Sequence, residues 1–238
     1  RSGAASRAEF SLTLDWALRW VLLLGIPATL GLILLAGPVL ATLFLSDAFG
    51  VADVTMAGQS LVAYALGLAG LMAVKALAPG FFSRQDMRTP VRIAAVALMV
   101  NLALSLALMF PFGHGGLALA TSIAALLNGG LLLVALLRAG VYRPAPGWRL
   151  LLLRAGAANL MMALLLWWLA GDARTWLDAD APGQVLRLAL IIIAGAGGYG
   201  ATLLLLGLRL RHVREPELDR AARPYAAAEG AAGDHGAL

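Results

Sequence analysis

The chain has 238 residues, of which 61% are hydrophobic and only 13% are charged, and its mean hydropathy is +0.84. A soluble domain of this length covers its surface with polar side chains, so this composition excludes an ordinary soluble protein. The formal net charge is +5, but the basic residues are divided among several short loops, which argues against a nucleic-acid-binding protein. The absence of cysteine excludes disulfides and thiolate metal sites.

Six stretches of about twenty apolar residues follow one another along the chain. A helix rises about 1.5 Å per residue, so each stretch is long enough to cross a hydrocarbon layer of roughly 30 Å. Lipid offers backbone groups no hydrogen-bond partners, so spans of this length must be helical. The sequence therefore predicts an all-α integral membrane protein with six transmembrane helices within residues 1–210, at about 16–35, 54–78, 91–110, 117–137, 150–169 and 185–208. Residues 211–238 are charged and then rich in alanine and glycine, and they are predicted to form a disordered cytoplasmic tail.

Arginines mark alternate loops of this predicted bundle. They precede the first span and follow the second, fourth and sixth, at Arg1, Arg7, Arg84, Arg88, Arg92, Arg138, Arg143, Arg149, Arg209, Arg211 and Arg214. Basic residues favour the cytoplasmic side of short loops. An even number of spans puts both ends of the chain on one side of the membrane. The sequence therefore predicts that both ends are cytoplasmic.

Two pairs of polar residues interrupt the third and fourth spans. Asn101 and Ser105 are four residues apart, and Thr121 and Asn128 are seven apart, so each pair shares a helical face. The short turn between these spans makes them antiparallel neighbours. The four side chains are a candidate ion site or a set of interhelical hydrogen bonds. No carboxylate accompanies them, which favours hydrogen bonds, and no metal site is predicted.

Lys75 is the only lysine of the chain and lies one turn before Pro79, near the end of the second span. A lysine here either faces a cavity and holds a pyrophosphate as a point charge, or extends its amine to the nearby interface. Together with Arg84 and Asp86 of the next loop, Lys75 forms a candidate substrate-binding or gating group.

A run of small residues from Ala194 to Ala201 occupies the sixth span. Small residues four apart let helix backbones approach closely, so the run predicts tight packing against the fifth span. It also offers a shallow, smooth groove for a lipid chain. The candidate residues of this lipid-tail groove are Gly195, Gly198, Tyr199 and, at the end of the fifth span, Trp167.

Pro27 interrupts the first span and is predicted to free one backbone carbonyl there, with a kink as its usual effect. Nothing in the chain has the pattern of a catalytic centre. The three histidines, His114, His212 and His235, lie in predicted loops or the tail, and no phosphate loop, nucleophile triad or metal-ligand spacing occurs. The sequence predicts no enzyme activity and no cofactor.

Three segments carry a resemblance to a known family. They are Leu14–Arg19 (LDWALR), Lys75–Ala94 (KALAPGFFSRQDMRTPVRIA) and Gly113–Asn128 (GHGGLALATSIAALLN). They resemble the MurJ (MviN) family of lipid II flippases in the multidrug/oligosaccharidyl-lipid/polysaccharide exporter superfamily. The resemblance runs in order from about Ser11 to Leu210. It is most specific in the middle third, whereas the last two spans match mainly in their hydrophobic pattern.

The resemblance implies a transporter of the bacterial inner membrane with fourteen helices in two lobes, of which this chain matches the last six. It implies that lipid II, a polyprenyl-pyrophosphate-linked glycopeptide, moves from the inner to the outer leaflet by alternating access for peptidoglycan synthesis. The implied partners are lipid II, membrane lipids and the N-terminal helices of the same protein, with no nucleic acid.

The resemblance also has implications for the candidate sites. The last two helices of the family form the groove that holds the polyprenyl tail. Some relatives place a sodium ion between helices that match the third and fourth spans. Asn101 and Thr121 fit that pattern by spacing, whereas Ser105 stands where those relatives have an aspartate.

Two alternatives remain open. One is an exporter of another polyprenyl-linked glycan, or of a drug, within the same superfamily, and the Lys75–Ala94 segment argues against it. The other is a membrane scaffold that transports nothing, which polar pairs at membrane depth argue against.

Overall fold

The computed structural model of the chain describes residues 2–44, 50–171, 176 and 181–208. Within these residues the chain is helical apart from its connecting turns. The helices are α1 (Ser2–Phe44), α2 (Val51–Leu77), α3 (Pro79–Phe82), α4 (Arg88–Arg138), α5 (Trp148–Ala170) and α6 (Ala181–Leu205). The prediction of an all-α protein is confirmed. The predicted tail at 211–238 lies outside the described residues.

Five of the described helices, α1, α2, α4, α5 and α6, are long and apolar enough to cross a membrane. The first of these is longer than the predicted span of 16–35, because it includes the segment before Trp16 and continues through Pro27 and Pro38. Prolines are tolerated in membrane helices when other groups satisfy the freed carbonyls. α4 contains both the predicted third and fourth spans.

α4 turns back on itself at Gly113, whose φ of 54° and ψ of −131° are not helical. A Cβ on Gly116 would clash with the carbonyl oxygen of Leu108, whereas residues eight apart in a straight helix are separated by about 12 Å. The two halves, 88–112 and 114–138, are therefore antiparallel neighbours as predicted. Each half is about 37 Å long, enough to cross a membrane. Only a glycine avoids a clash at position 116 in so tight a reversal.

α1 lies between two helix groups. Its first part packs with the ends of α2 and α4, where Leu14 and Leu18 share an apolar cluster with Leu77, Phe81, Leu132, Leu136 and Tyr142. Its later part packs with α5 and α6, where Leu35 and Leu40 share a second cluster with Met162, Leu166, Leu188, Ile191 and Tyr199. Within the described residues, α5 and α6 pack mainly on each other and on α1. The α5–α6 pair is therefore attached to the remaining helices chiefly through α1.

Candidate functional site

An apolar cavity of about 470 Å³ lies between α1, α5 and α6. Eight of its lining residues come from α1, between Leu23 and Val39, two from α5 and four from α6. That stretch of α1 is about 24 Å long, which is most of a hydrocarbon layer of roughly 30 Å. None of the lining side chains is charged, so the cavity suits an apolar chain and not an ion.

Pro27 and Tyr199 fix the structure at one end of this cavity. Proline has no backbone N–H, so the carbonyl of Leu23, four residues earlier, lacks its usual partner within the helix. The Tyr199 hydroxyl of α6 donates to that carbonyl at 2.9 Å. The carbonyl that the sequence predicts to be freed by Pro27 thus becomes the point at which α6 is hydrogen-bonded to α1 at membrane depth.

Two of the four predicted groove residues, Gly195 and Tyr199, line the cavity. Gly198 does not line the cavity and faces α5, since a Cβ there would lie 2.9 Å from Cδ2 of Leu165. Gly195 faces α5 as well, since a Cβ there would lie 2.6 Å from Cδ2 of Leu166. Trp167 is 71% exposed and is not among the lining residues. Gly195 and Gly198 thus both pack closely against α5, and Gly195 also lines the cavity. The use of this surface as a groove for a lipid tail stays a prediction. The large contribution of α1 to the cavity is not anticipated by the sequence.

The interface between α2 and the second half of α4 is a seam of small residues without space between the backbones. A Cβ on Gly67 would lie 2.6 Å from Cα of Ser122, and one on Gly70 would lie 2.6 Å from the backbone of Ala125. The Ser122 hydroxyl donates to the carbonyl of Ala63 and contacts that of Tyr64 at 3.2 Å. An interhelical hydrogen bond is therefore made by Ser122, which the sequence analysis does not select. The sequence pattern that could have identified this interface is the spacing of small residues by three or four positions, at Ala118, Ser122, Ala125 and Gly129.

The four predicted polar residues of the third and fourth spans bond mainly within their own helices. The Ser105 hydroxyl donates to Oδ1 of Asn101 at 3.4 Å, and the Thr121 hydroxyl donates to the carbonyl of Leu117 at 3.0 Å. Oδ1 of Asn128 is buried without a hydrogen-bond partner among the described residues. In this part of the chain no hydrogen bond joins the Asn101 pair to the Thr121 pair.

The predicted substrate or gating residues lie at the connection between α2 and α4. Lys75 and Arg84 are exposed, and no ion pair joins either of them to Asp86 among the described residues. Oδ1 of Asp86 accepts a hydrogen bond from the backbone N–H of Thr89 at 3.1 Å, which caps the start of α4. The hydrogen bonds donated by Thr89 lower the pKa of the Asp86 carboxyl. The structure thus gives Asp86 a capping role.

A buried carboxylate that the sequence analysis does not select lies at the same end of the bundle. Oδ2 of Asp15 accepts from Nε of Arg19 at 2.7 Å, and Oδ1 accepts from the Tyr142 hydroxyl, the Ala145 N–H and Nε1 of Trp148 at 2.8, 3.1 and 2.7 Å. We call these five residues the Asp15 cluster. Burial, together with the hydrogen bond to Asp15, raises the pKa of the Tyr142 hydroxyl. The available signal is an aspartate four residues before an arginine at the start of an apolar helix.

Comparison with known proteins identifies the family to which the chain belongs. The family model described as lipid II flippase MurJ matches residues 3–181 of the chain. The chain belongs to the MurJ family. Because members of the family are lipid II flippases, it is a family of transporters, and the chain is a multi-pass membrane protein of the kind found in bacterial inner membranes.

Individual MurJ relatives match most of the chain. A probable lipid II flippase MurJ of Vibrio cholerae is 41% identical over 205 residues, which cover 86% of this chain and 39% of that protein. A lipid II flippase MurJ of Burkholderia cenocepacia is 35% identical over 211 residues, which cover 88% of this chain and 41% of that protein. The chain thus spans about two fifths of the length of the curated relatives that it matches.

A solved structure of a lipid II flippase MurJ in an inward closed conformation has the same helical arrangement, with a TM-score of 0.63 at 23% identity. The likeness covers 83% of this chain and 41% of that one. At this identity the likeness establishes the fold. The resemblance inferred from the sequence is confirmed, and so is the fold class of an α-helical membrane transporter of the MurJ type.

Proposed function

We propose that the chain is the part of a lipid II flippase that accommodates the polyprenyl tail while the polar head crosses the membrane. The observation that carries the proposal is the apolar cavity between α1, α5 and α6, which has no charged lining residue. A polyprenyl tail has only apolar surface to bury, so it gains contacts there without leaving a polar group unsatisfied. Membership of the MurJ family supplies the class of substrate.

The proposed direction is from the inner to the outer leaflet, with both ends of this chain in the cytoplasm. Arginines support this orientation. Arg84, Arg88 and Arg92 follow α2, Arg138 ends α4, and Arg143 lies between α4 and α5. Basic residues in short loops favour the cytoplasmic side. The proposed partners are lipid II, membrane lipids and the further helices of the same protein. Alternating access requires two bodies that move around a site between them, so we propose that these helices act together with a second lobe.

Gly31 offers a direct test of the cavity. It lines the cavity, and beyond its own helix no heavy atom lies within 4 Å of the position that a Cβ would take. Gly31→Leu therefore fills the space without pushing helices apart. We expect lipid II translocation by the full protein to fall by at least ~10-fold, equivalent to about 1.4 kcal/mol, while insertion and accumulation stay normal.

Gly37→Leu is the matched control, because Gly37 lies on the same helix in equally open space but does not line the cavity. Translocation is measured in cells depleted of their own flippase, with other polyprenyl-linked glycans as competitors. Normal translocation by a fully accumulated Gly31→Leu protein would contradict the role of the cavity. Transport of another polyprenyl-linked glycan, without transport of lipid II, would instead reassign the substrate.

A further inference from the structure

The Asp15 cluster joins α1 to a segment about 130 residues further along the chain, which comprises the loop between α4 and α5 and the start of α5. Asp15 and Arg19 belong to α1, Tyr142 and Ala145 to the loop between α4 and α5, and Trp148 to the first turn of α5. Asp15 is 4% exposed and accepts four hydrogen bonds, which match the roughly four acceptor sites of a carboxylate. Oδ1 therefore holds the loop and the start of α5, while Oδ2 holds Arg19 of α1.

Three further contacts strengthen the same attachment. Arg19 donates to the carbonyl of Pro146 at 3.2 Å and lies over the ring of Trp148, 5.7 Å from its centre. One turn before Asp15, the Ser11 hydroxyl accepts from the backbone N–H of Arg143 at 2.9 Å. Much of the loop that leads into α5 is thus bonded to a single helix.

The loop between α4 and α5 begins and ends with a glycine in the left-handed region of backbone conformation. Gly147, immediately before α5, has a φ of 99°, and Gly140, just after α4, has a φ of 65°. Both glycines allow the chain to change direction sharply. Hydrogen bonds to Asp15 hold the residues between them, so the direction in which α5 leaves the loop is set by the carboxylate.

The consequence depends on how the α5–α6 pair is attached. In the described residues this pair packs mainly on α1, and the apolar cavity lies between it and α1. The cluster lies at one end of that interface, and the Tyr199–Leu23 hydrogen bond lies further along α1. A change at the cluster therefore alters the angle between α1 and α5, and the cavity changes with it.

We infer that Asp15 is a positioning residue that sets the placement of the α5–α6 pair against α1 and, through it, the width of the apolar cavity. Asp15 is not among the residues that line the cavity, so it acts through the loop and α5. Its effect on transport rests on the proposed function, whereas its effect on helix placement does not.

Electron paramagnetic resonance distances between spin labels provide the test. Cysteines for labelling are introduced at Gly37 on α1 and Gly197 on α6, in the full protein without other cysteines. Both positions have open space around the Cβ site and neither lines the cavity. Asp15→Asn is expected to broaden the 37–197 distance distribution and to lower lipid II translocation several-fold. Asp53→Asn is the control, because Asp53 is an exposed carboxylate that bonds to Gly50 at the start of α2.

A second pair of labels separates positioning from general loss of structure. Gly130 on α4 is also in open space, and the 37–130 distance joins α1 to the helix group that excludes α5 and α6. A merely structural role for Asp15 predicts broadening of both distances, which would overturn the inference. Positioning predicts broadening of the 37–197 distance alone.

Tyr142→Phe is a milder second variant, because it removes one of the four hydrogen bonds and leaves the carboxylate in place. It is expected to broaden the 37–197 distance less than Asp15→Asn, and it keeps the test open if Asp15→Asn fails to insert. Unchanged distances in Tyr142→Phe and in any Asp15→Asn protein that inserts would overturn the inference. Broadened 37–197 distances with normal translocation would support it and count against the proposed function of the cavity.

Discussion

The interface between α2 and α4 and the interface between α1 and the α5–α6 pair differ in their residues and in their packing. Glycine, alanine and serine form the first, where Gly67 and Gly70 lie against the backbone of α4. Larger apolar side chains, mainly leucine, line the second together with four glycines and alanines, and this interface leaves a partly open cavity of about 470 Å³. One interface of this small bundle is therefore closely packed, whereas the other leaves a cavity.

The difference matters because helices in lipid gain little from the hydrophobic effect when they associate. They are held instead by close van der Waals packing and by hydrogen bonds between helices. A cavity lacks partner atoms on one side, so its lining loses attractive contacts. The α2–α4 seam is thus the firmly held interface. The α1 interface with α5 and α6 is the one at which an apolar chain can replace missing protein contacts.

The largest expected effect comes from a bulky residue in the seam. In Gly70→Leu the new Cβ would lie 2.6 Å from the backbone of Ala125 and of Leu126, and backbone atoms have no room to yield. Overpacking typically costs about 1–3 kcal/mol and sometimes more, so we expect a large loss of folded protein. The measurement is the accumulation of folded protein in membranes and its unfolding midpoint in detergent.

Gly130→Leu is the control for the seam, because the Cβ position of Gly130 on α4 has no heavy atom outside its helix within 4 Å. It is expected to accumulate normally. Equal stability of the two variants would show that the backbones of α2 and α4 are not in close contact at Gly70. It would thereby contradict the difference in packing between the two interfaces.

A smaller effect is expected at the hydrogen bond between α6 and α1. Tyr199→Phe removes the donor to the Leu23 carbonyl and should cost about 1 kcal/mol of unfolding free energy. In a Pro27→Ala background, the new backbone N–H at position 27 offers that carbonyl an intrahelical partner. The same Tyr199→Phe change should then cost less, and the double-mutant cycle measures the difference. An equal cost in both backgrounds would contradict the pairing of Pro27 with Tyr199.

The helices themselves follow from hydropathy, because a span of about twenty apolar residues in lipid has few alternatives to a helix. The reversal at Gly113 is also predicted within a few residues, since Pro111, Gly113 and Gly115 interrupt the apolar run. Gly195 and Tyr199 line the cavity, whereas their role as a groove for a lipid tail stays a prediction. The contribution of α1 to the cavity depends on how three helices pack together. The periodicity of residues along one helix gives no information about that packing.

The same limit explains why the hydrogen-bond partners of the polar residues could not be predicted from the sequence. Thr121 and Ser122 are adjacent, and only the rotation of α4 against α2 decides which hydroxyl reaches the neighbouring helix. The Asp15 cluster has a local signal in Asp15 and Arg19, but Tyr142 is 127 residues further along the chain. Partners at such a separation are fixed by tertiary packing.

The smallest expected effect tests whether packing or hydrogen bonding holds the seam. Ser122 donates to backbone carbonyls of α2 that also accept hydrogen bonds within their own helix, so its hydroxyl supplements existing bonds. Ser122→Ala keeps the residue small and should cost only about 0.6 kcal/mol, the average for interhelical hydrogen bonds in a membrane protein. Thr121→Ala is the matched control, because its hydroxyl bonds within α4. Unfolding in detergent compares them, and a loss in Ser122→Ala as large as that in Gly70→Leu would make hydrogen bonding the main attachment. A small loss of unfolding free energy in Ser122→Ala would mean that close packing of the two backbones holds this interface together. The interface around the cavity lacks such packing.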